Sequence, residues 1–257
     1  MSDPAPYNLP DLRRVVTGNN ERAEGIVTHN SLAPAQTMAI AKGARGTTLW
    51  VTTDGLPTND NNTTEDGAQR PLSNDYALGM THPQGASLRS TDLAPGAVTP
   101  MHRTSSVDYN ILADPAPPSF PTFASISAFP LPSPLLPTSF LPTSTGPRPA
   151  VAGEVILLMD DGSETYLNNP GDTVIQRGAM HAWYNPSRDK WARWVSVLMG
   201  GAPAVVGGKE LATEAYEIEL REGKWVRKEG GNMAHGGEKI LVDGREGLKA
   251  TTEGVKV

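Results

Sequence analysis

Short apolar stretches and clusters of turn residues alternate along the chain. The apolar stretches are rich in Val, Ile, Leu, Thr and Trp, run for about four to nine residues, and mostly end beside Gly, Asn, Asp or Pro. No stretch has the period of a long amphipathic helix. Evenly spaced short strands are typical of a sandwich, barrel or jelly roll, so the pattern predicts an all-β fold. The predicted strands are residues 12–17, 25–28, 47–53, 87–93, 154–159, 164–167, 172–176, 191–199, 216–220 and 224–228.

Four segments lie outside this pattern. Residues 1–10 are predicted to be a mobile lead-in, residues 57–74 a surface loop, and residues 229–257 a tail without fixed structure. Residues 113–150 are rich in Pro, Ser and Phe, and the density of proline excludes both a helix and an internal strand. Two interpretations of this insertion stay open. It is either a long loop, serving as a lid or as a ligand for a polyproline-binding groove, or a retained intron translated in frame.

Composition narrows the class of protein. The 257 residues suffice for one all-β domain, and the net charge of -6, with acids and bases interspersed, argues against a nucleic-acid partner. The absence of cysteine excludes disulfides, a thiolate nucleophile and cysteine-ligated metals. The N-terminus lacks the pattern of a signal peptide, and no apolar window reaches membrane-spanning length. We therefore expect a cytoplasmic protein without a membrane partner.

Two stretches each place one histidine on or beside a predicted strand. They are residues 96–109, GAVTPMHRTSSVDY, and residues 171–185, GDTVIQRGAMHAWYN. With the insertion left out, the first fits the spacing G(x)5HxH(x)3–4E(x)6G. The second resembles G(x)5PxGxxHxxxN in its leading glycine, Gly171, and in the spacing of His181 and Asn185, with one residue fewer between Gly171 and His181. The chain thus resembles the cupin superfamily, and in particular the single-barrel cupins common in fungal genomes, many of them near natural-product genes.

The resemblance implies an all-β double-stranded β-helix, or jelly-roll barrel. The barrel is expected over residues 11–112 plus 151–207, with the insertion at 113–150 and a C-terminal extension over 208–257. Small cupins commonly pair through edge strands, so a homodimer is expected.

The resemblance also implies a metal site that this sequence alters. Metal-binding cupins use two histidines and a glutamate of the first motif and the histidine of the second, and the matching residues here are His102, Thr104, Asp108 and His181. His102, Asp108 and His181 can still form a facial triad for one divalent metal, Fe, Mn, Ni or Zn. Without a metal, the two histidines are candidates for general acid and base. Alternatively, all three residues are merely hydrogen-bonded structural groups.

Four further residues are candidates for substrate binding. Arg103 can pair with a carboxylate or phenolate, or can face water instead. Tyr109 and Gln176 are candidate wall residues, and Trp183 can stack on a planar ligand.

The resemblance therefore implies a small-molecule cupin enzyme of secondary metabolism, acting as a decarboxylase, dehydratase, isomerase or oxygenase. The competing hypothesis is a cupin that binds a small ligand without catalysis. Loss of a histidine at Thr104 favours binding alone, whereas the retained His102, His181 and Asp108 favour an enzyme. A third possibility is a non-functional gene product, because the insertion replaces a tight turn next to the site.

Overall fold

A computed structural model describes residues 6–72, 76–113 and 153–235 of the chain, the last six of these as backbone only. Over those ranges the protein is almost entirely β, with three short 3₁₀ helices. The helices are Asp60–Asn62, Gly67–Gln69 and Ala77–Gly79. The strands are β1 Leu12–Asn19, β2 Gly25–Ala33, β3 Gln36–Thr37, β4 Ala44–Thr52, β5 Ala86–Leu93, β6 Met101–Arg103, β7 Ser106–Ala113, β8 Val155–Met159, β9 Glu164–Leu167, β10 Thr173–Arg177, β11 His181–Tyr184, β12 Ala192–Gly200, β13 Val205–Val206, β14 Lys209–Glu210, β15 Glu214–Arg221 and β16 Lys224–His235.

Two six-stranded antiparallel sheets form the body of the fold. Their strand orders are β10-β7-β12-β5-β4-β3 and β16-β15-β6-β11-β8-β9. Buried apolar side chains from both sheets meet in one cluster, which includes Leu93, Leu112 and Trp194 from the first sheet and Leu157 and Trp183 from the second. Burial of these large side chains between the sheets supplies the main stabilising contribution. The predicted all-β jelly-roll fold is confirmed.

The predicted strands are all present, with boundaries that shift by a few residues. The stretch predicted at 191–199 forms β12, Ala192–Gly200, and the one at 164–167 forms β9 with the same bounds. The first turn begins later than predicted, because β1 continues to Asn19. β1 and β2 pair with each other as a separate two-stranded sheet.

The segment predicted as a surface loop, residues 57–74, has no strand in its described part but is buried at Gly67, Ala68 and Arg70, where the prediction was wrong. Gly67 packs so closely on Trp50 that an added Cβ would lie 2.5 Å from the indole ring. Arg70 is only 8% exposed, and it donates hydrogen bonds to Asp60 Oδ1 (2.6 Å) and to the carbonyl oxygen of Val51 (2.8 Å). Salt bridges and hydrogen bonds, rather than apolar periodicity, anchor this segment.

The mobile lead-in predicted for residues 1–10 was also wrong where the structure describes it, from residue 6 onward. Tyr7 packs edge-on against Trp191 at 4.9 Å between ring centroids, and its hydroxyl donates to Asp92 Oδ2 over 2.7 Å. Asp92 is paired with Arg193 through Nε–Oδ1 (2.6 Å) and Nη2–Oδ2 (2.8 Å) contacts. One aromatic residue and its hydrogen bonds thus fix a segment that has little else to bury.

The C-terminal extension contributes directly to the second sheet. β15 and β16 form the predicted hairpin, and β15 pairs with β6. Trp225 packs against Tyr184 at 5.0 Å between ring centroids, and Ile218 joins a second apolar cluster with residues of β8 and β11. The insertion beyond Ala113 and the tail after His235 lie outside the described residues. Within the described ranges, no helix is long and apolar enough to span a membrane.

Candidate functional site

The first histidine motif is divided by a turn between the two sheets. β6 ends at Arg103 and β7 begins at Ser106, so His102 lies in one sheet and Asp108 in the other. The hydroxyl groups of Thr104 and Ser106 are hydrogen-bonded across the turn at 2.8 Å. The motif therefore does not form one continuous strand, and it contributes to both walls of the space between the sheets.

That space contains a cavity of about 60 Å³. The second sheet contributes both histidines and Trp183, and the first sheet contributes a mixed polar and apolar wall. This volume is well below the roughly 300–1,000 Å³ of typical ligand pockets, so the cavity as it stands admits only a molecule of a few non-hydrogen atoms. The polar lining is His102, His181, Asp108, Asn110, Arg89, Thr91, Thr99 and Ser196, and the apolar lining includes Met38, Ile40, Met80, Trp183, Trp194 and Leu198.

The two histidines face each other across neighbouring strands. His181 of β11 is the register partner of His102 of β6, and their ring centroids lie 4.2 Å apart. Nδ1 of His102 is 2.9 Å from the carbonyl oxygen of Pro100, and Nδ1 of His181 is 3.0 Å from that of Ala179. A carbonyl oxygen only accepts, so each Nδ1 carries a proton and each Nε2 is unprotonated in the neutral ring.

The surroundings keep both imidazoles neutral. Burial lowers the pKa of His102, with the hydrogen bond to Pro100 opposing it. Burial lowers the pKa of His181 well below its ordinary value, and the neighbouring His102 lowers it further. Two neutral imidazoles thus line the cavity as candidate bases or ligands.

Asp108 is the acidic group of the cavity. It is 5% exposed, and its Oδ1 has no hydrogen-bond partner among the described residues. Burial raises the pKa of Asp108 to about 6, although a hydrogen bond from Ser106 and the charge of Arg89 both lower it. A carboxyl group with a pKa near neutrality can donate or accept a proton under physiological conditions.

Arg89 and Asn110 also line the cavity, and the sequence reasoning missed both. Arg89 on β5, Ser196 on β12 and Asn110 on β7 are register partners and form one polar row across the sheet. Arg89 is only 1% exposed. Apolar and polar residues alternate around Arg89, which predicts that Leu88 faces the core and Arg89 faces water, but Leu88 is the exposed residue of the two. Local pattern therefore gave no signal for Arg89.

The structure brings one of the four predicted substrate-binding residues to the cavity. Trp183 lines it and stacks against Trp194 at 5.4 Å between ring centroids. Gln176 lies behind it, where Nε2 donates to the carbonyl oxygen of Ala179 over 3.1 Å. That oxygen also accepts from Nδ1 of His181, so Gln176 helps position the histidine.

The other two predicted binding residues lie away from the cavity lining. Arg103 donates to the carbonyl oxygen of Ala212 over 3.0 Å and lies 3.6 Å from Glu214, on the side covered by the C-terminal extension. Tyr109 is 38% exposed on the outer face of β7. Residues adjacent to a site residue on a strand point to the opposite face, which accounts for both placements.

The metal triad is not assembled in the structure. In the described ranges, no group of three or more His, Cys, Asp or Glu side chains is arranged to hold a metal ion. The Nε2 atoms of His102 and His181 suit metal ligation, but Asp108 belongs to the opposite sheet and does not complete a set with them. The metal at these three residues stays a prediction, and we derive no chemical step through it.

Comparisons with known proteins give two kinds of relative. The chain is 29% identical over 133 residues to phomopsin biosynthesis cluster protein C′ of Diaporthe leptostromiformis, a match that covers 52% of this chain and 50% of that protein. It is 23% identical over 228 residues to the cupin-domain-containing oxidoreductase srdD of Neurospora crassa, which covers 86% of this chain and 90% of the relative. The chain thus spans about half the length of the first of these curated relatives.

Structural comparison gives more distant matches. A cupin-2 domain from Rhodospirillum rubrum aligns with 67% of this chain and 70% of its own, at 10% identity and a TM-score of 0.31. No protein-family model matches the chain. The chain has two antiparallel sheets and a histidine on each of the neighbouring strands β6 and β11, and it is similar in sequence to proteins named for a cupin domain.

Proposed function

We propose that this cupin is an enzyme of secondary metabolism that moves a proton on a small substrate held between the two sheets. The observation that carries the proposal is the pair of neutral imidazoles, His102 and His181, whose Nδ1 atoms are fixed on backbone carbonyls within one cavity. The relative named as a phomopsin biosynthesis cluster protein supports the metabolic setting.

The chemistry follows from the protonation states. An unprotonated Nε2 can take a proton from an acidic C–H or O–H group, and Asp108 can return a proton to another atom of the substrate. Arg89 can stabilise negative charge that develops in between, because it is buried beside the cavity, where charges are poorly screened. Trp183 and Trp194 supply a flat apolar wall and exclude water. Isomerisation consists of two such transfers. In dehydration the returned proton goes to a hydroxyl group of the substrate, which leaves as water as the C–O bond breaks and the C=C bond forms.

A solvent-exchange experiment tests the proposal. The protein is incubated in D₂O with a panel of small hydroxyketones, β-keto acids and β-diketones, and deuterium uptake at carbon is followed by mass spectrometry. We expect protein-dependent exchange for at least one compound, reduced roughly 10²-fold or more in His102→Gln and in His181→Gln. His29→Gln, on the separate β1–β2 sheet, is the matched control and should retain full activity.

Two results would count against catalysis. Compounds that bind without any exchange would favour a ligand-binding cupin, and exchange that persists in both histidine variants would remove the histidines from the mechanism.

Metal-dependent oxidation is the second candidate function. It is favoured by the relative named as a cupin-domain-containing oxidoreductase, and it would use His102, His181 and Asp108 as ligands to Fe, Mn, Ni or Zn. When bound, such a metal would supply Lewis-acid or redox chemistry. Elemental analysis of purified protein tests it, because near-stoichiometric metal that is lost in both His102→Ala and His181→Ala would support this function over the first.

The sequence-based expectations of a homodimer and a cytoplasmic location remain proposals. Analytical ultracentrifugation and imaging of the tagged protein test them.

A further inference from the structure

Two buried polar atoms of the cavity wall have no hydrogen-bond partner among the described residues. They are Oδ1 of Asp108 and Nδ2 of Asn110, and their side chains are 5% and 6% exposed. Buried polar groups in folded proteins are nearly always paired, and leaving one unpaired costs about 1–3 kcal/mol. Both residues line the cavity between the two sheets.

The two atoms have complementary hydrogen-bonding roles and a fixed arrangement. Asp108 and Asn110 are two residues apart on β7, so both side chains extend from the same face of the strand. Ser196 Oγ is 2.6 Å from Asn110 Oδ1, which fixes the amide with its NH₂ group free. Asp108 therefore offers an acceptor, and Asn110 offers a donor beside it.

The charges around these atoms favour a neutral ligand. Asp108 and Arg89 interact electrostatically within the same cavity, so the one positive charge is balanced by the one negative charge. A carboxylate or phosphate would find no net positive charge and would offer no donor to Oδ1 of Asp108.

We propose that Asp108 and Asn110 form a recognition subsite for a neutral carbonyl group that carries an adjacent N–H or O–H, as in a carboxamide or an α-hydroxyketone. The carbonyl oxygen accepts from Nδ2 of Asn110, and the N–H or O–H donates to Oδ1 of Asp108. Asn110 is then a specificity-determining residue that sets which small molecule enters. This inference rests on the proposed function in one respect: it takes the cavity as the substrate site.

Ligand-observed NMR on the full chain tests the subsite with small probes. The probes are acetamide and hydroxyacetone, which carry both groups, and N,N-dimethylacetamide, acetone and acetate, which lack the donor. We expect the first two to bind roughly 10-fold more tightly than the other three. Acetate binding as tightly as acetamide, or N,N-dimethylacetamide matching acetamide, would overturn the proposal without any variant.

Substitution then assigns the subsite to Asn110. Asn110→Leu keeps a similar volume but removes the donor to the carbonyl oxygen, so it should weaken the binding of acetamide, hydroxyacetone and acetone alike, each about 10-fold. Ile111→Val, the neighbouring outward-facing position, is the matched control and should bind all probes as the wild type does. Unchanged acetamide binding in Asn110→Leu would overturn the assignment.

The histidine variants separate this inference from the proposed function. Selective acetamide binding that persists in His102→Gln and His181→Gln, together with an absence of deuterium exchange in the wild type, would support the subsite and reject proton-transfer catalysis. Deuterium exchange without selectivity between the probes would support proton-transfer catalysis and reject the subsite.

Discussion

The buried pair of Arg193 and Asp92 gives the sharpest test of how this fold is held together. The side chains are 4% and 1% exposed, and two charge-assisted hydrogen bonds of 2.6 and 2.8 Å join them across β12 and β5. Removing the arginine leaves the carboxylate buried without its counter-charge, which typically costs about 3–5 kcal/mol. The hydroxyl of Tyr7 still donates to Asp92, so we expect the lower half of that range for Arg193→Met.

Urea denaturation, monitored by tryptophan fluorescence, measures the loss of unfolding free energy in Arg193→Met. A melting temperature lowered by about 10 °C should accompany this loss. Arg22→Met is the matched control, because its pair with Glu24 is exposed (79% and 56%) and such pairs contribute about 0–1 kcal/mol. The double variant Arg193→Met with Asp92→Leu should recover much of the loss, because no buried charge remains. Two results would contradict this prediction. One is a smaller loss of unfolding free energy in Arg193→Met than in Arg22→Met, and the other is a double variant that is no more stable than Arg193→Met alone.

Three further predictions concern the cavity and the close packing of the sheets. The folded-state pKa of Asp108, raised from 3.8 to about 6, means that its ionisation destabilises the fold as pH rises through that window, by up to about 3 kcal/mol. Asp108→Asn should therefore be more stable than the wild type at pH 8 but not below pH 4, and a difference that is constant across pH would contradict this. The lowered pKa values of His102 and His181 give stability the opposite dependence on pH. Their contribution to stability is fully present above the unfolded-state pKa of histidine, and it is lost as pH falls from there through the lower folded-state pKa. The double His→Gln variant should accordingly lose less stability between pH 7 and pH 5 than the wild type, and equal slopes would count against neutral buried imidazoles. Gly85→Ala places a Cβ 1.8 Å from a backbone oxygen and should destabilise the protein by about 3 kcal/mol or more, whereas Gly25→Ala, with nothing within 4 Å, should change the melting temperature little.

The strands could be predicted because their pattern is local. Apolar and β-branched runs bounded by turn residues identified β8, β9 and β12 within one residue. The segment containing Arg70 could not be predicted in the same way, because its order depends on ion pairs with residues that local periodicity does not reveal. The docking of Tyr7 depends on Asp92, 85 positions further along the chain.

The candidate site was predictable in its histidines but not in its polar wall. Motif spacing identified His102 and His181, and the structure pairs them directly. An unbroken strand would have placed His102 and Asp108, six residues apart, on one face, but the turn after β6 places them in different sheets. Asn110 escaped notice because an asparagine within a strand gives no local signal until its partner across the sheet is known.

The first motif is divided between two sheets, so the distance between its histidine and its carboxylate depends on the distance between those sheets. The histidine pair moves with β6 and β11, and the carboxylate moves with β7. A small relative motion of the sheets changes the distance between the two kinds of group without altering either strand. A molecule bound to both walls would stabilise the packing of one sheet on the other. Its binding would therefore slow amide hydrogen exchange in both sheets, including strands that it does not contact.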